Sequence, residues 1–118
     1  MKNHIKHLMI LTMLSIVSTN VMANVDVYIT YMGGDRTIKE VVKAALPSNL
    51  RIKNYNASAL VMADYSGKQK AIAKLSKSKL VVVINQQTIN ILGSPSFPNY
   101  IVIENGDAAD IENIKAKL

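Results

Sequence analysis

Leu80-Val81-Val82-Val83-Ile84 is an unbroken apolar run, entered from Lys79 and left through Asn85. A strand with one solvated face alternates apolar and polar side chains, because successive residues point to opposite sides. A run without alternation is what a strand covered on both faces requires, and such strands sit in the middle of parallel sheets. The stretch therefore predicts a parallel sheet with helices on both sides of it.

The flanking sequence supplies those elements. Residues 25–31 read V-D-V-Y-I-T-Y, rich in β-branched and aromatic side chains, and run into Met32-Gly33-Gly34-Asp35, a strand and its turn. Thr37 and Glu40 stand three apart, the spacing of a capping box. Behind them Ile38, Val41, Val42, Ala45 and Leu46 share one face of a helix that Pro47 ends. In residues 50–55, Leu50 and Ile52 alternate with Arg51 and Lys53, the pattern of an edge strand with one wet face. Residues 57–63 are apolar without a clear period. Ser66 and Gly67 open a second helix that buries Ala71, Ile72 and Leu75, while its other side carries Lys68, Lys70, Lys74, Lys77 and Lys79 without an acid.

Beyond the central run, residues 88–92 predict a short helix ended by Gly93, and Tyr100-Ile101-Val102-Ile103 a fourth strand. A last helix starts at Asp107, with Asp110 in its first turn, Ile111, Ile114 and Leu118 on its apolar side, and Lys115 and Lys117 at the end its dipole favours. The order is β-α-β-α-β-α-β-α. Right-handed crossovers then give a parallel sheet with helices on both faces. The expected fold is α/β, a small three-layer sandwich whose four-stranded parallel sheet has the order 2-1-3-4, at the small end of the flavodoxin-like class.

Residues 1–23 read as a secretory signal peptide. Lys2 and Lys6 precede an apolar stretch, residues 8–17, and Val21 and Ala23 occupy the positions where a signal peptidase requires small side chains. Cleavage is expected between Ala23 and Asn24, leaving residues 24–118 as one domain in the periplasm; the apolar stretch falls well short of the ~20 residues that span a bilayer. His4 and His7 lie in the removed part and the chain has no Cys, so neither imidazole nor thiol remains. That excludes Ser-His-Asp and cysteine catalysis and the Cys/His ligation of zinc or haem. A non-catalytic role without cofactor or metal is expected. Without Lys2 and Lys6, 12 basic residues face 8 acidic ones. In an exported protein such a balance suits anionic headgroups, cell-wall polymers or small anions, and no nucleic acid is expected as a partner.

In an open parallel sheet, ligands bind outside the carboxyl ends of the strands, where the strand order reverses. For the order 2-1-3-4 that point lies between the first and third strands. Gly33, Gly34, Asp35 and Arg36 follow one of them; Asn85, Gln86, Gln87 and Thr88 follow the other. Glycine lets backbone N–H groups approach a ligand, Arg36 adds a fork of donors, and the amides and hydroxyl add neutral donors and acceptors. A carboxylate, a phosphate or an amino-acid-like group complements this rim. Lys70, Lys74 and Lys77, at spacings of four and three, form a second candidate surface for an anionic headgroup or an acidic partner. Tyr65, Phe97 and Tyr100 are candidate pocket aromatics. No glycine-rich nucleotide fingerprint or P-loop is present, and Asp107 and Asp110 are read as helix caps.

Three stretches together resemble a known family: D-V-Y-I-T-Y-M-G-G-D-R-T-I-K-E-V-V-K-A-A-L, S-G-K-Q-K-A-I-A-K-L-S-K-S-K-L-V-V-V-I-N-Q-Q-T and P-N-Y-I-V-I-E. Their order behind a signal peptide is similar to the N-terminal lobe of periplasmic substrate-binding proteins of ABC transporters, in particular the uncharacterised group that includes Trp/Tyr-type binders. The resemblance implies ligand contacts at Gly33, Gly34 and Asp35 and at Asn85, Gln86 and Gln87. It also implies a membrane permease, a sensor protein or a second copy of the chain as partner, because those proteins close two lobes around a solute and this chain supplies one. The expected function is that of an exported binding or accessory protein; the alternative is a protein-interaction module of an envelope assembly or sensory system without a small-molecule ligand.

Overall fold

A computed structural model describes residues 25–118; the expected signal peptide and its cleavage point lie outside the described residues. β1 (Val27–Tyr31), α1 (Arg36–Ala45), β2 (Ile52–Asn56), α2 (Tyr65–Leu75), β3 (Leu80–Ile84), α3 (Gln86–Ile91), β4 (Tyr100–Ile103) and α4 (Ala108–Lys117) alternate along the chain. Two 3-10 segments, Gly33–Asp35 and Ala57–Met62, follow β1 and β2. The strands form one parallel sheet in the order β2-β1-β3-β4. The continuous apolar run is thus an inner strand, and every residue of β3 is buried.

Strand alternation divides the core in two. Val27, Ile29 and Tyr31 of β1 and Leu80, Val82 and Ile84 of β3 face the side covered by Val42 and Leu46 beside α1 and by Ile111 and Ile114 of α4. Tyr28, Val81 and Val83 face the other side, with Leu60, Ala71 and Leu75 of the α2 layer and Ile89 and Leu92 at α3. Three layers result, each helical layer sealed to the sheet by burial of aliphatic side chains worth ~1.5–3 kcal/mol apiece.

Local details depart from the sequence pattern where two patterns compete. The helix after β1 begins at Arg36 with Asp35 as its N-cap, so Thr37 lies inside it and no capping box forms. The cause is the 3-10 turn, which feeds straight into the helix. Along α1 the inward face is Ile38, Lys39, Val42 and Leu46, whereas Val41 and Ala45 are exposed. Lys39 is accommodated there because its methylene stem packs on the sheet while its ammonium lies 5.2 Å from the centre of the Tyr31 ring and pairs with Glu40. The second helix begins at Tyr65, with Asp64 accepting the Gly67 N–H at 2.8 Å, and it ends at Leu75, so Lys77 sits in the following turn.

On the α2 side of β1, Thr30 is fully buried and its Oγ1 has no hydrogen-bond partner among the described residues. A buried hydroxyl without a partner costs its desolvation, so replacing it with a methyl of similar shape is stabilising. Thr30→Val is expected to raise stability by about 1 kcal/mol, or roughly 4–8 °C in melting temperature for a domain of this size. An unchanged or lower melting temperature would show that the hydroxyl is satisfied.

At the opposite end of the sheet Asp26 ties three strands together. Its carboxylate accepts the Arg51 backbone N–H at 2.8 Å and lies 3.4 Å from the Lys79 ammonium and 3.7 Å from Arg51 Nε. The Arg51 N–H bond, assisted by Lys79 and against the opposing effect of desolvation, holds the Asp26 carboxyl below its ordinary pKa. A carboxyl depressed on folding stabilises the protein above its unfolded pKa, and that contribution disappears as pH falls through the folded value. Asp26→Asn should therefore cost about 1–2 kcal/mol at neutral pH. The gap between parent and variant should close when urea melts are repeated at and below the ordinary carboxylate range.

Candidate functional site

The two loops singled out by strand order leave neighbouring strands at the same end of the sheet, since Thr30 of β1 stands opposite Val83 of β3 in register. Gly33, Gly34 and Asp35 form the 3-10 turn after β1, Arg36 is the first residue of α1, and Asn85, Gln86, Gln87 and Thr88 make the N-cap and first turn of α3. The topology thus brings the candidate crevice residues to one rim.

Most of their backbone N–H groups, together with Asn85 Oδ1 and the Thr88 hydroxyl, are bonded within the protein itself. The Gly33 N–H donates to Ser58 Oγ at 2.8 Å, which ties the first loop to the segment after β2. Asn85 Oδ1 accepts the Gln87 N–H at 2.9 Å, and the Asn85 N–H donates to the Ile103 carbonyl at 2.7 Å. Glu104, at the tip of β4, accepts the Gln86 N–H at 3.0 Å. Thr88 is fully buried and donates its hydroxyl to the Ile84 carbonyl at 2.7 Å. No hydrogen bond joins the two loops among the described residues. Neither Gly33 nor Gly34 adopts a left-handed backbone; Asn85 does, with φ 83°. The first loop therefore closes as an ordinary 3-10 turn and does not use the freedom of its glycines.

What stays open on this rim is its side chains: those of Asp35, Arg36 and Gln87 make no hydrogen bond or ion pair among the described residues. Asp35 makes no side-chain capping bond, so the first N–H groups of α1 lack a side-chain acceptor, and Arg36 beside them is exposed. Asp107 caps α4 by accepting the Asp110 N–H at 2.9 Å, and Asp110 Oδ2 accepts the N–H groups of Asn105 and Gly106. Both are caps, as their positions in the first turn imply. No group of three or more His, Cys, Asp or Glu is placed to hold a metal among the described residues.

Two clefts lie away from the rim. One, of about 190 Å³, sits at the amino end of the sheet beside Asp26, Lys79 and Lys117. The other, of about 320 Å³, lies between α2 and the end of α3, lined by Ala63, Tyr65, Lys68, Gln69, Leu92 and Gly93. Next to it the chain projects apolar side chains into solvent: Met62 is 91% and Tyr65 78% exposed, with Val61 half-exposed. Phe97 and Tyr100 do not join Tyr65; they pack edge to face with ring centres 5.8 Å apart, and Phe97 is buried. Lys70 and Lys74 are exposed on α2, Lys74 lying 5.6 Å from the Tyr55 ring centre. The sequence pattern gave no warning of the Val61 and Met62 projection. Residues 57–63 have neither helical nor strand period, because they wind as a 3-10 segment that buries only Ala57 and Leu60.

No family model, curated protein or solved structure matches this chain. Among the described residues no helix is long and apolar enough to cross a membrane.

Proposed function

We propose that this chain is a non-catalytic, exported accessory protein that works by presenting a surface to a partner, as an interaction module and not as a solute clamp. The observation that carries this reading is the contrast between the two candidate surfaces. At the strand tips the N–H groups of Gly33, Gln86 and Gln87 and the Thr88 hydroxyl are already bonded within the protein, so a solute would have to compete for the backbone donors of the crevice and is left with the crevice's side chains. At the start of α2, by contrast, apolar side chains stand in water, which is the usual mark of a surface covered in the working state.

The test is a melting-temperature panel of amino acids, organic acids, inorganic phosphate and nucleotides at millimolar concentration. A ligand that binds only the native state raises the melting temperature. The interaction module predicts no shift across the panel; a reproducible rise with any member would overturn it in favour of the crevice.

The crevice reading keeps one observation of its own. Asn85 is held in a backbone region that costs a non-glycine residue of order 1–3 kcal/mol, and such strain gathers where ligands are held. On that reading a small anionic or amino-acid-like ligand is bound between Gly33, Gly34, Asp35, Arg36 and Asn85, Gln86, Gln87. Arg36→Ala would abolish the panel hit.

A further inference from the structure

Charge is segregated between the two helical layers. From Ile52 to Ile103 the chain carries Lys53, Lys68, Lys70, Lys74, Lys77 and Lys79 against a single acid, Asp64. That acid is turned into the first turn of α2, where it accepts the Gly67 N–H. α2 and α3, which cover one face of the sheet, both come from this stretch. The opposite layer mixes both signs: α1 carries Arg36, Lys39 and Lys43 with Glu40, and α4 carries Asp110 and Glu112 with Lys115 and Lys117. Among the described residues Lys68, Lys70, Lys74 and Lys77 make no ion pair; Lys79 alone of the lysines between 68 and 79 does, with Asp26. Lys70 and Lys74 stand one helical turn apart on the solvent side of α2, separate point charges on long flexible stems.

The apolar projection lies at the amino-terminal end of that same helix. Val61 and Met62 close the 3-10 segment, and Tyr65 is the first residue of α2. These side chains project instead of lining a deep groove, and Tyr has the mixed character that suits the boundary between headgroups and acyl chains.

We propose, building on the interaction-module reading, that the α2 layer docks on an anionic phospholipid surface. In this arrangement Val61, Met62 and Tyr65 enter the headgroup boundary and the exposed Lys70, Lys74 and Lys77 rest on the lipid phosphates. A layer whose exposed Lys70, Lys74 and Lys77 make no ion pair among the described residues, tipped by exposed apolar groups, combines the two contributions that hold peripheral proteins on membranes: buried apolar area and attraction to anionic lipid. A protein partner of matching charge would be expected to offer a concave seat for Met62 and Tyr65, whereas a bilayer takes a projecting tip of any shape.

Vesicle flotation tests this, using the protein recovered after export, with its N-terminus read by mass spectrometry. Vesicles of phosphatidylglycerol and phosphatidylcholine in equal parts are compared with pure phosphatidylcholine, at low and at 0.5 M salt. The protein should float with the anionic vesicles at low salt and at least tenfold less with the neutral ones or at high salt. Lys70→Glu with Lys74→Glu, and separately Met62→Ser with Tyr65→Ser, should each weaken flotation about tenfold or more. All four side chains are exposed, so the melting temperature of either pair should stay close to the parent's, and it serves as the folding control. Failure to float with anionic vesicles, or equal flotation with neutral ones, would overturn the proposal. Binding to polyglutamate that matches vesicle binding, with Met62→Ser and Tyr65→Ser without effect, would also overturn it, and would assign the surface to an acidic protein. Neither failure touches the interaction-module reading, which stands or falls on the ligand panel.

Discussion

Val82→Asp and Val83→Asp should each leave the chain unfolded in water at neutral pH. The two residues are neighbours on β3, both with no solvent exposure, yet they look in opposite directions. Val82 lies among Val27, Ile29, Ile103 and Ile114, and Val83 among Tyr28, Leu60, Leu75 and Leu92. A carboxylate at either position is surrounded by apolar side chains, and a buried ion without a partner costs several kcal/mol even after local relaxation. Protonation lowers that cost but leaves a buried acid without partners, a further ~1–3 kcal/mol, on top of the lost apolar burial. Total stability in a domain of this kind is of the order of 5–10 kcal/mol, so either substitution consumes most or all of it. Asn54→Asp, on the exposed middle of edge strand β2, is the control and should shift stability by only about 0.5 kcal/mol. Far-UV circular dichroism with urea titration separates the cases. A native-like spectrum for one of the two valine variants would mean that the corresponding helical layer does not cover the sheet.

That experiment bears on the feature of the sequence that was easiest to read. A strand buried on both faces leaves no polar residue in its pattern, so Leu80–Ile84 identifies itself, and with it the parallel sheet, the crossovers and the order β2-β1-β3-β4. The faces of single helices were less legible. In α1, the residues Ile38, Val41, Val42, Ala45 and Leu46 offer a stripe by hydropathy, but the helix is turned so that Lys39 replaces Val41 on the sheet side. Hydropathy treats lysine as a charge alone, whereas its stem is four methylenes long and can be buried while the ammonium sits over the Tyr31 ring.

The candidate site divides in the same way. Which loops meet at the strand tips follows from topology, and topology follows from pattern. What those loops have left to offer a ligand does not, because their partners are distant in sequence: Gly33 is tied to Ser58, 25 residues on, and Gln86 to Glu104, 18 residues on. The lysines of α2 were visible as a run, but their meaning depended on where the rest of that layer placed its charges. Only the fold shows that the lysine-bearing α2 and the uncharged α3 cover the same face of the sheet, while most acids lie elsewhere.

Gly106→Val should destabilise the protein by about 3–5 kcal/mol, the largest loss expected from one substitution after the two valine variants of β3. Gly106 turns the chain between β4 and α4 with φ +71°, its N–H donating to Asp110 Oδ2 at 2.8 Å. In that backbone conformation a β-branched residue is strained by about 1–3 kcal/mol. Space makes it worse: a Cβ at this position would lie 3.0 Å from Ile38 Cγ2 and 3.5 Å from Val42 Cγ2, so α1 itself stands in the way. The two methyls of valine add overpacking of typically 1–3 kcal/mol. Gly106→Ala should show the backbone cost and the single close contact, roughly 2 kcal/mol. Gly34→Ala is the counterpart, because its Cβ meets nothing within 4 Å and its backbone is not left-handed, and it should change stability by only about 0.5 kcal/mol. The ranking, read from urea midpoints, tests whether α1 is fixed against the loop after β4. If Gly106→Val were as mild as Gly34→Ala, α1 would be free to move away from the strand tips. The self-satisfied rim would then open for a ligand, and the case for surface docking over solute binding would lose its structural basis.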